Sequence, residues 1–257
     1  MRQLLACLLL VLCAQAGAAQ RVVSLAPSLT EIAVEVGGQG RLVGVLDAGP
    51  RPPGLEHLQS VGHYGQLDME QLLALKPDLI LLWPGSVGPA QREQVRRLGI
   101  QLMTAEPHSL EDLATELAQI AVPLGQAERG RQLADAFRLR VAALRERYRR
   151  SVPLRVFYQV WDAPLYTVGG GQIISDGLSV CGGRNVFDDL ALPAPQVSLE
   201  AVLQRDPQVI VVPNQAQADA WRKWPVKGRV VVGDPGVERP SGQIVEALAR
   251  LCERMNQ

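Results

Sequence analysis

Two stretches of this chain share one design, and that design dictates most of what the chain can fold into. Asp68-Met69-Glu70-Gln71-Leu72-Leu73-Ala74-Leu75-Lys76-Pro77-Asp78-Leu79-Ile80-Leu81-Leu82 is the first. The second, Ser198-Leu199-Glu200-Ala201-Val202-Leu203-Gln204-Arg205-Asp206-Pro207-Gln208-Val209-Ile210-Val211-Val212, follows 130 residues later at identical spacing. Each begins with a side chain that caps a helix and a glutamate in the first turn, where the helix dipole favours negative charge. A proline then stops the helix, because the residue before proline is driven out of the helical region. The apolar run that follows has the pattern of a strand buried on both faces of a parallel sheet. Two α/β lobes of related design are the economical reading.

The rest of the chain fits this plan. Arg21–Leu25 is a short β-rich run, and Ser28 with Glu31 three residues on has capping-box spacing for a helix over Leu29–Val36. Gly37-Gly38 stops that helix and Leu42–Leu46 resumes as a strand, a β-α-β succession that argues for parallel α/β architecture. Between the repeated units, Gln126–Arg150 is rich in Ala, Leu, Arg and Glu. Its Leu133, Ala136, Phe137, Val141, Leu144 and Tyr148 recur at steps of three or four. A helix of about 24 residues would be roughly 36 Å long, a rigid spacer between lobes or else a surface helix of the first. The expected plan is a signal peptide over 1–19, an α/β lobe over 20–125, a linking helix over 126–150 and a second α/β lobe over 151–257.

The first residues read as a secretion signal. Arg2 is followed by a short apolar run, Leu4–Cys13, and then by small residues around Ala16–Ala19, giving a mature start near Ala19 or Gln20. The apolar run is shorter than the roughly 20 residues that span a bilayer. Cleavage would remove Cys7 and Cys13, leaving Cys181 and Cys252. In an oxidising compartment these suggest one disulfide, with two unpaired buried thiols as the alternative.

Chemistry is harder to find. His57, His63 and His108 have no partners at metal-ligand spacing, so neither a structural nor a catalytic zinc site is expected. No Gly-x-Ser-x-Gly elbow occurs, and Gly169-Gly170-Gly171 lacks the features of a P-loop or a dinucleotide fingerprint, reading as a tight turn. No nucleophile–base pair emerges, so enzyme or metal-storage function is the weaker alternative. Basic and acidic residues balance at 26 each, which recruits neither nucleic acid nor anionic membrane.

Binding is better supported. Aromatic residues make up only 4% of the chain, so their placement carries information. Trp83 stands at the carboxyl end of an expected parallel strand, where ligands dock in open α/β sheets. Tyr64 lies in a loop facing the same crevice, and Trp161 and Tyr166 flank the turn after the second lobe's first strand. Together they resemble the walls of a pocket for a large flat ligand.

The residues Val180-Cys181-Gly182-Gly183-Arg184-Asn185-Val186-Phe187, Pro195-Gln196-Val197-Ser198-Leu199-Glu200 and Leu75-Lys76-Pro77-Asp78-Leu79-Ile80 carry a resemblance. It is to the cobalamin-binding branch of the periplasmic binding proteins that serve importers of iron complexes and cobalamin, and it covers essentially the whole mature chain. The resemblance implies two α/β lobes joined by one long helix with the ligand cleft between them. It implies a monomer without catalysis or cofactor that hands cobalamin or a related corrinoid to the membrane subunits of an ABC importer. Glu70 and Glu200 match the glutamates that meet importer arginines. Tyr64, Trp83 and Tyr166 match the cleft aromatics, and Asp234 and Arg239 match a polar cleft pair, Arg239 after a one-residue shift. Ala48 and Ala194 depart from the pattern, standing where the branch carries aromatics. Trp161 compensates for that loss, or the cargo is instead haem or a ferric siderophore.

Overall fold

The computed structural model describes residues 18–257, so the expected leader lies, up to residue 17, outside the described residues. The chain runs β1 (Val22–Ser24), α1 (Pro27–Glu35), β2 (Leu42–Asp47), β3 (Gln59–His63), β4 (Gln66–Leu67), α2 (Met69–Ala74), β5 (Leu79–Leu82), α3 (Pro89–Arg97), β6 (Gln101–Thr104) and α4 (Leu110–Ala121). The long α5 (Ala127–Arg147) follows. Then come β7 (Leu154–Asp162), β8 (Leu165–Thr167), α6 (Ile173–Val180), β9 (Gly183–Asn185), α7 (Leu199–Arg205), β10 (Val209–Val212), α8 (Gln215–Trp221), β11 (Arg229–Val232) and α9 (Ile244–Asn256).

The repeated unit folds the same way twice. Asp68 accepts from the Gln71 backbone N–H at 3.0 Å, and Ser198 accepts from that of Ala201 at 3.2 Å, each capping its helix. Both helices close on a non-glycine residue with φ of 45°, Lys76 and Asp206. Proline follows each, and a left-handed residue ends the helix while keeping the pre-proline position out of the right-handed region. The strands beyond are buried throughout. Leu79 and Leu81 face one apolar cluster and Ile80 and Leu82 another; Val209/Val211 and Ile210/Val212 divide likewise. This alternation is why the runs are continuously apolar: both faces of the sheet are covered.

Six strands form the first sheet in the order β4-β3-β2-β1-β5-β6, parallel except for the β3–β4 hairpin. The second has the order β11-β10-β7-β8, with β9 also on β7 and only β8 antiparallel. The two α/β lobes share one core. Its apolar cluster runs from Ile32 and Leu81 through Leu113 and Leu117 of α4 and Phe137 and Val141 of α5, into Val156, Leu248 and Leu251. Gly130 allows α4 and α5 to approach closely, since a Cβ there would lie 2.3 Å from that of Ala121.

Three local expectations are corrected. The helix expected over Leu29–Val36 begins earlier, with Ala26 as its N-cap and Pro27 in the first turn. Proline is suited to that position, because its missing N–H would have no helical partner there. Ser28 is therefore inside the helix, and Glu31 is released from a capping role. The long helix is capped by Gln126 and Tyr148, so it is shorter than the expected Gln126–Arg150. Its buried stripe is Gly130, Ala134, Phe137 and Val141, leaving Ala136 exposed. At Gly169-Gly170-Gly171 only Gly171 has a positive φ, 65°. Gly169 and Gly170 answer a different need, since a Cβ on either would lie 2.0 Å from the carbonyl oxygen of Leu192 or Asp188.

Cys181, which caps α6, is disulfide-bonded to Cys252 in α9, with 4.6 Å between their Cα atoms. Asn256 reinforces the junction, donating to the carbonyls of Cys181 at 3.1 Å and Cys252 at 2.8 Å.

Candidate functional site

A pocket of about 230 Å³ opens where the two lobes meet. Its first wall is built by the loops at the carboxyl ends of β2, β3 and β5. Ala48 follows β2, Tyr64 follows β3 and Trp83 follows β5. Backbone bonds hold these loops together: the Tyr64 N–H donates to the Asp47 carbonyl at 3.2 Å, and that of Gly65 donates to Ser86 at 2.9 Å. Within the 3-10 turn Pro84–Ser86, the Ser86 hydroxyl donates back to the Trp83 carbonyl at 2.7 Å. Gly85 gives the indole room to lie on the backbone, since a Cβ there would come within 2.9 Å of the Trp83 ring. Tyr64 and Trp83 stand 6.0 Å apart, ring planes tilted by 37°. Tyr64 is 56% exposed, and Trp83, half-buried against the shared core, joins it in lining the pocket.

The floor is the start of α1, where Ala26, Pro27 and Ser28 line the pocket. Among the described residues no side chain caps that helix end, which leaves the positive end of its dipole facing the pocket. The opposite wall comes from the second lobe: Glu238, Arg239 and Pro240, in and after the 3-10 turn Pro235–Glu238 that follows β11. Glu238 accepts from the Tyr158 hydroxyl at 3.0 Å. Arg239 donates to Glu31 of α1 at 2.8 Å and remains 44% exposed along its side chain. The carboxyl ends of both sheets thus face this site, where open α/β sheets bind ligands. Depressions of about 280 and 330 Å³ occur elsewhere, lined by Asp206 and Lys227 or by Arg155, Arg184 and Arg205. They lie at the amino ends of the second sheet's strands, and the three arginines are already paired with Asp206, Asp188 and Asp189.

Of the six residues expected to touch ligand, the pocket brings together Tyr64, Trp83 and Arg239. Trp161 and Tyr166 are opposite one another on the β7–β8 hairpin. Trp161 is 61% exposed at the carboxyl end of β7 and lies outside the pocket lining. Tyr166 is half-buried and bridges to Gln196. Asp234 is used inside its own lobe: it accepts from Gly236 N–H at 3.0 Å and from Arg250 at 2.6 Å. The Arg250 guanidinium holds its carboxyl below the usual aspartate range. Ala48 lines the pocket, whereas Ala194 does not.

Glu70 and Glu200 occupy equivalent, exposed positions in the first turns of α2 and α7. The Glu200 carboxyl is lowered by hydrogen bonds from its own backbone N–H and the Ser198 side chain. Among the described residues no group of three His, Cys, Asp or Glu side chains could hold a metal ion.

Sequence reasoning missed Glu31 and Glu35. Glu35 accepts from the Gly242 N–H at 2.9 Å, and its carboxyl is raised, first by burial. Their spacing of four on one short helix was visible, but nothing local pointed to partners more than 200 positions away.

The sequence matches the periplasmic binding protein family over residues 22–228. It is 38% identical over 245 residues to a vitamin B12-binding protein of Yersinia pestis, covering 93% of this chain and 88% of that protein. The periplasmic vitamin B12 binding protein BtuF of Vibrio cholerae has the same fold, with a TM-score of 0.84 and 33% identity over 93% of this chain and 97% of that one. A periplasmic heme binding protein from Pseudomonas aeruginosa aligns with a TM-score of 0.73 and 27% identity over 91% of each chain.

Proposed function

The chain belongs to the periplasmic binding protein family, and from that premise we propose that it carries cobalamin or a related corrinoid to an ABC importer. Proteins of this family are periplasmic, bind small ligands and work with membrane permease subunits; they are not enzymes. The observation that carries the cargo reading is the aromatic corner of Tyr64 and Trp83 facing Arg239 across the lobe junction. It sits in a chain whose relatives at 38% and 33% identity are vitamin B12-binding proteins.

A corrin is broad, flat and mostly apolar on its faces, with amides at its edge. Aromatic faces offer it dispersion and apolar burial. Arg239 offers donors to edge oxygens, and Trp161 with Tyr166 would extend the wall along the second lobe. Asp234 acts in this reading from behind the wall, holding the turn that presents Arg239. Lobes over 20–125 and 151–257, bridged by 126–150, put the cleft at the centre of a monomer, and residues 1–19 serve as the secretion signal. Glu70 and Glu200, one per lobe, offer matched charges to a two-fold membrane partner.

A thermal-shift panel of cobalamin, cobinamide, haem and a ferric hydroxamate siderophore tests the cargo. A ligand that binds only the folded state raises Tm, by about 2.7 kcal/mol of stabilisation at 100 times its Kd. The two corrinoids are expected to shift Tm; a shift with haem or siderophore alone would replace the corrinoid with that cargo.

A further inference from the structure

Arg239, the one arginine lining the pocket among the described residues, belongs to the second lobe, yet its guanidinium is held by the first. Arg239 lies on a short connection between the 3-10 turn Pro235–Glu238 and α9, whose backbone its own lobe holds through Asp234 and the Tyr158–Glu238 bond. Helix α1 adds two anchors from the first lobe. Glu31 and Glu35, one helical turn apart on the same face, both reach across the junction to this segment. Glu31 takes the Arg239 guanidinium at 2.8 Å, and Glu35 takes the Gly242 N–H at 2.9 Å. The two elements are in close contact here, since a Cβ on Gly242 would lie 2.5 Å from the Glu35 carboxylate. The Glu31 side chain is only 11% exposed, while that of Arg239 is 44% exposed toward the pocket. The other end of α1 forms the pocket floor through Pro27 and Ser28.

One helix thus carries both the floor of the pocket and the clamp on its far wall. We propose that Glu31 is a positioning residue for ligand binding: it touches no ligand, but aims Arg239 into the cleft, with Glu35 fixing the backbone behind it. Taking one guanidinium edge with a buried carboxylate leaves the remaining N–H donors free in a fixed fork. The inference rests on the reading of Arg239 as a ligand contact and assigns that contact its support. Glu31 is expected to matter for affinity through Arg239 alone.

A double-mutant cycle on the full mature chain, read by cobalamin titration, separates this from a structural role. Glu31→Gln keeps the shape and removes the charge; it is expected to weaken binding by on the order of tenfold. In an Arg239→Gln background the same change should alter Kd by less than about twofold. Equal weakening in both backgrounds, or none in the wild-type background, overturns the proposal. A ligand-free measurement keeps it testable should cobalamin prove the wrong cargo. Nitrogen-15 NMR of the Arg239 guanidinium should show hindered rotation in the wild type and free rotation in Glu31→Gln. Free rotation in both proteins overturns the positioning role whatever the cargo, whereas hindered rotation without cobalamin binding defeats only the cargo reading.

Discussion

Replacing both Cys181 and Cys252 by alanine should cost the protein about 4 kcal/mol, nearly all of it through the unfolded state. The bond closes a loop of 71 residues, and in the chain-entropy model a loop of that length removes about 4 kcal/mol of unfolded-state freedom. The folded geometry has independent support. Asn256 bonds both cysteine carbonyls and accepts from Arg150 at 2.7 Å. Both sulfurs are fully buried in the shared core, so alanine leaves neither a buried hydroxyl nor a lone thiol. For a chain of this size each kcal/mol moves Tm by about 2–4 °C, placing the expected loss near 10 °C by that scaling. Urea unfolding followed by circular dichroism adds a second signature. Without the cross-link the unfolded chain expands and exposes more surface, so the slope m should rise. A loss below 1 kcal/mol with unchanged m would refute the reasoning, because the bond would then be constraining nothing that α9 does not already hold.

Three further outcomes are expected. Burial raises the Glu116 carboxyl to about 7, although its Oε1 accepts from the Glu106 N–H at 2.8 Å. A raised folded-state value gives stability that is complete below the ordinary 4.5 and lost as pH climbs through about 7. Glu116→Gln should therefore be closest to wild type at pH 5 and more stable than it at pH 8; a Tm difference independent of pH contradicts this. Trp83→Ala should weaken corrinoid binding by about 30-fold, the equivalent of roughly 2 kcal/mol for a central aromatic contact. An unchanged Kd by calorimetry removes Trp83 from the site. Alanine at both Glu70 and Glu200 should abolish importer-dependent uptake while leaving ligand affinity within about twofold, a difference too small to matter on the affinity scale. Uptake at wild-type rates would end their docking role.

The parts legible in the sequence were those written by local rules. Each repeated unit carries its cap, its stop and its strand within fifteen consecutive residues, so no distant partner was needed to read it. Trp83 and Tyr64 were legible because the carboxyl end of a parallel strand is a place that topology alone sets aside for ligands. Glu31 was misread for the opposite reason. Its spacing from Ser28 satisfied a capping rule, but Pro27 moved the helix start upstream. That left the carboxylate for Arg239, 208 positions away in sequence. Asp234 shows the same limit, since its neighbours in sequence do not reveal that Arg250 on α9 turns it inward. Gly169 and Gly170 were legible as required glycines but not for the right cause, because close backbone approach leaves no trace in the local pattern.

Titration of the purified protein with cobalamin tests the central claim most directly. Isothermal calorimetry should show one saturable site per chain, with affinity lost in the Tyr64→Ala, Trp83→Ala double variant and a negative heat-capacity change from apolar burial. No heat and no thermal shift at millimolar cobalamin would contradict it, since that limit leaves less than about 4 kcal/mol for the interaction.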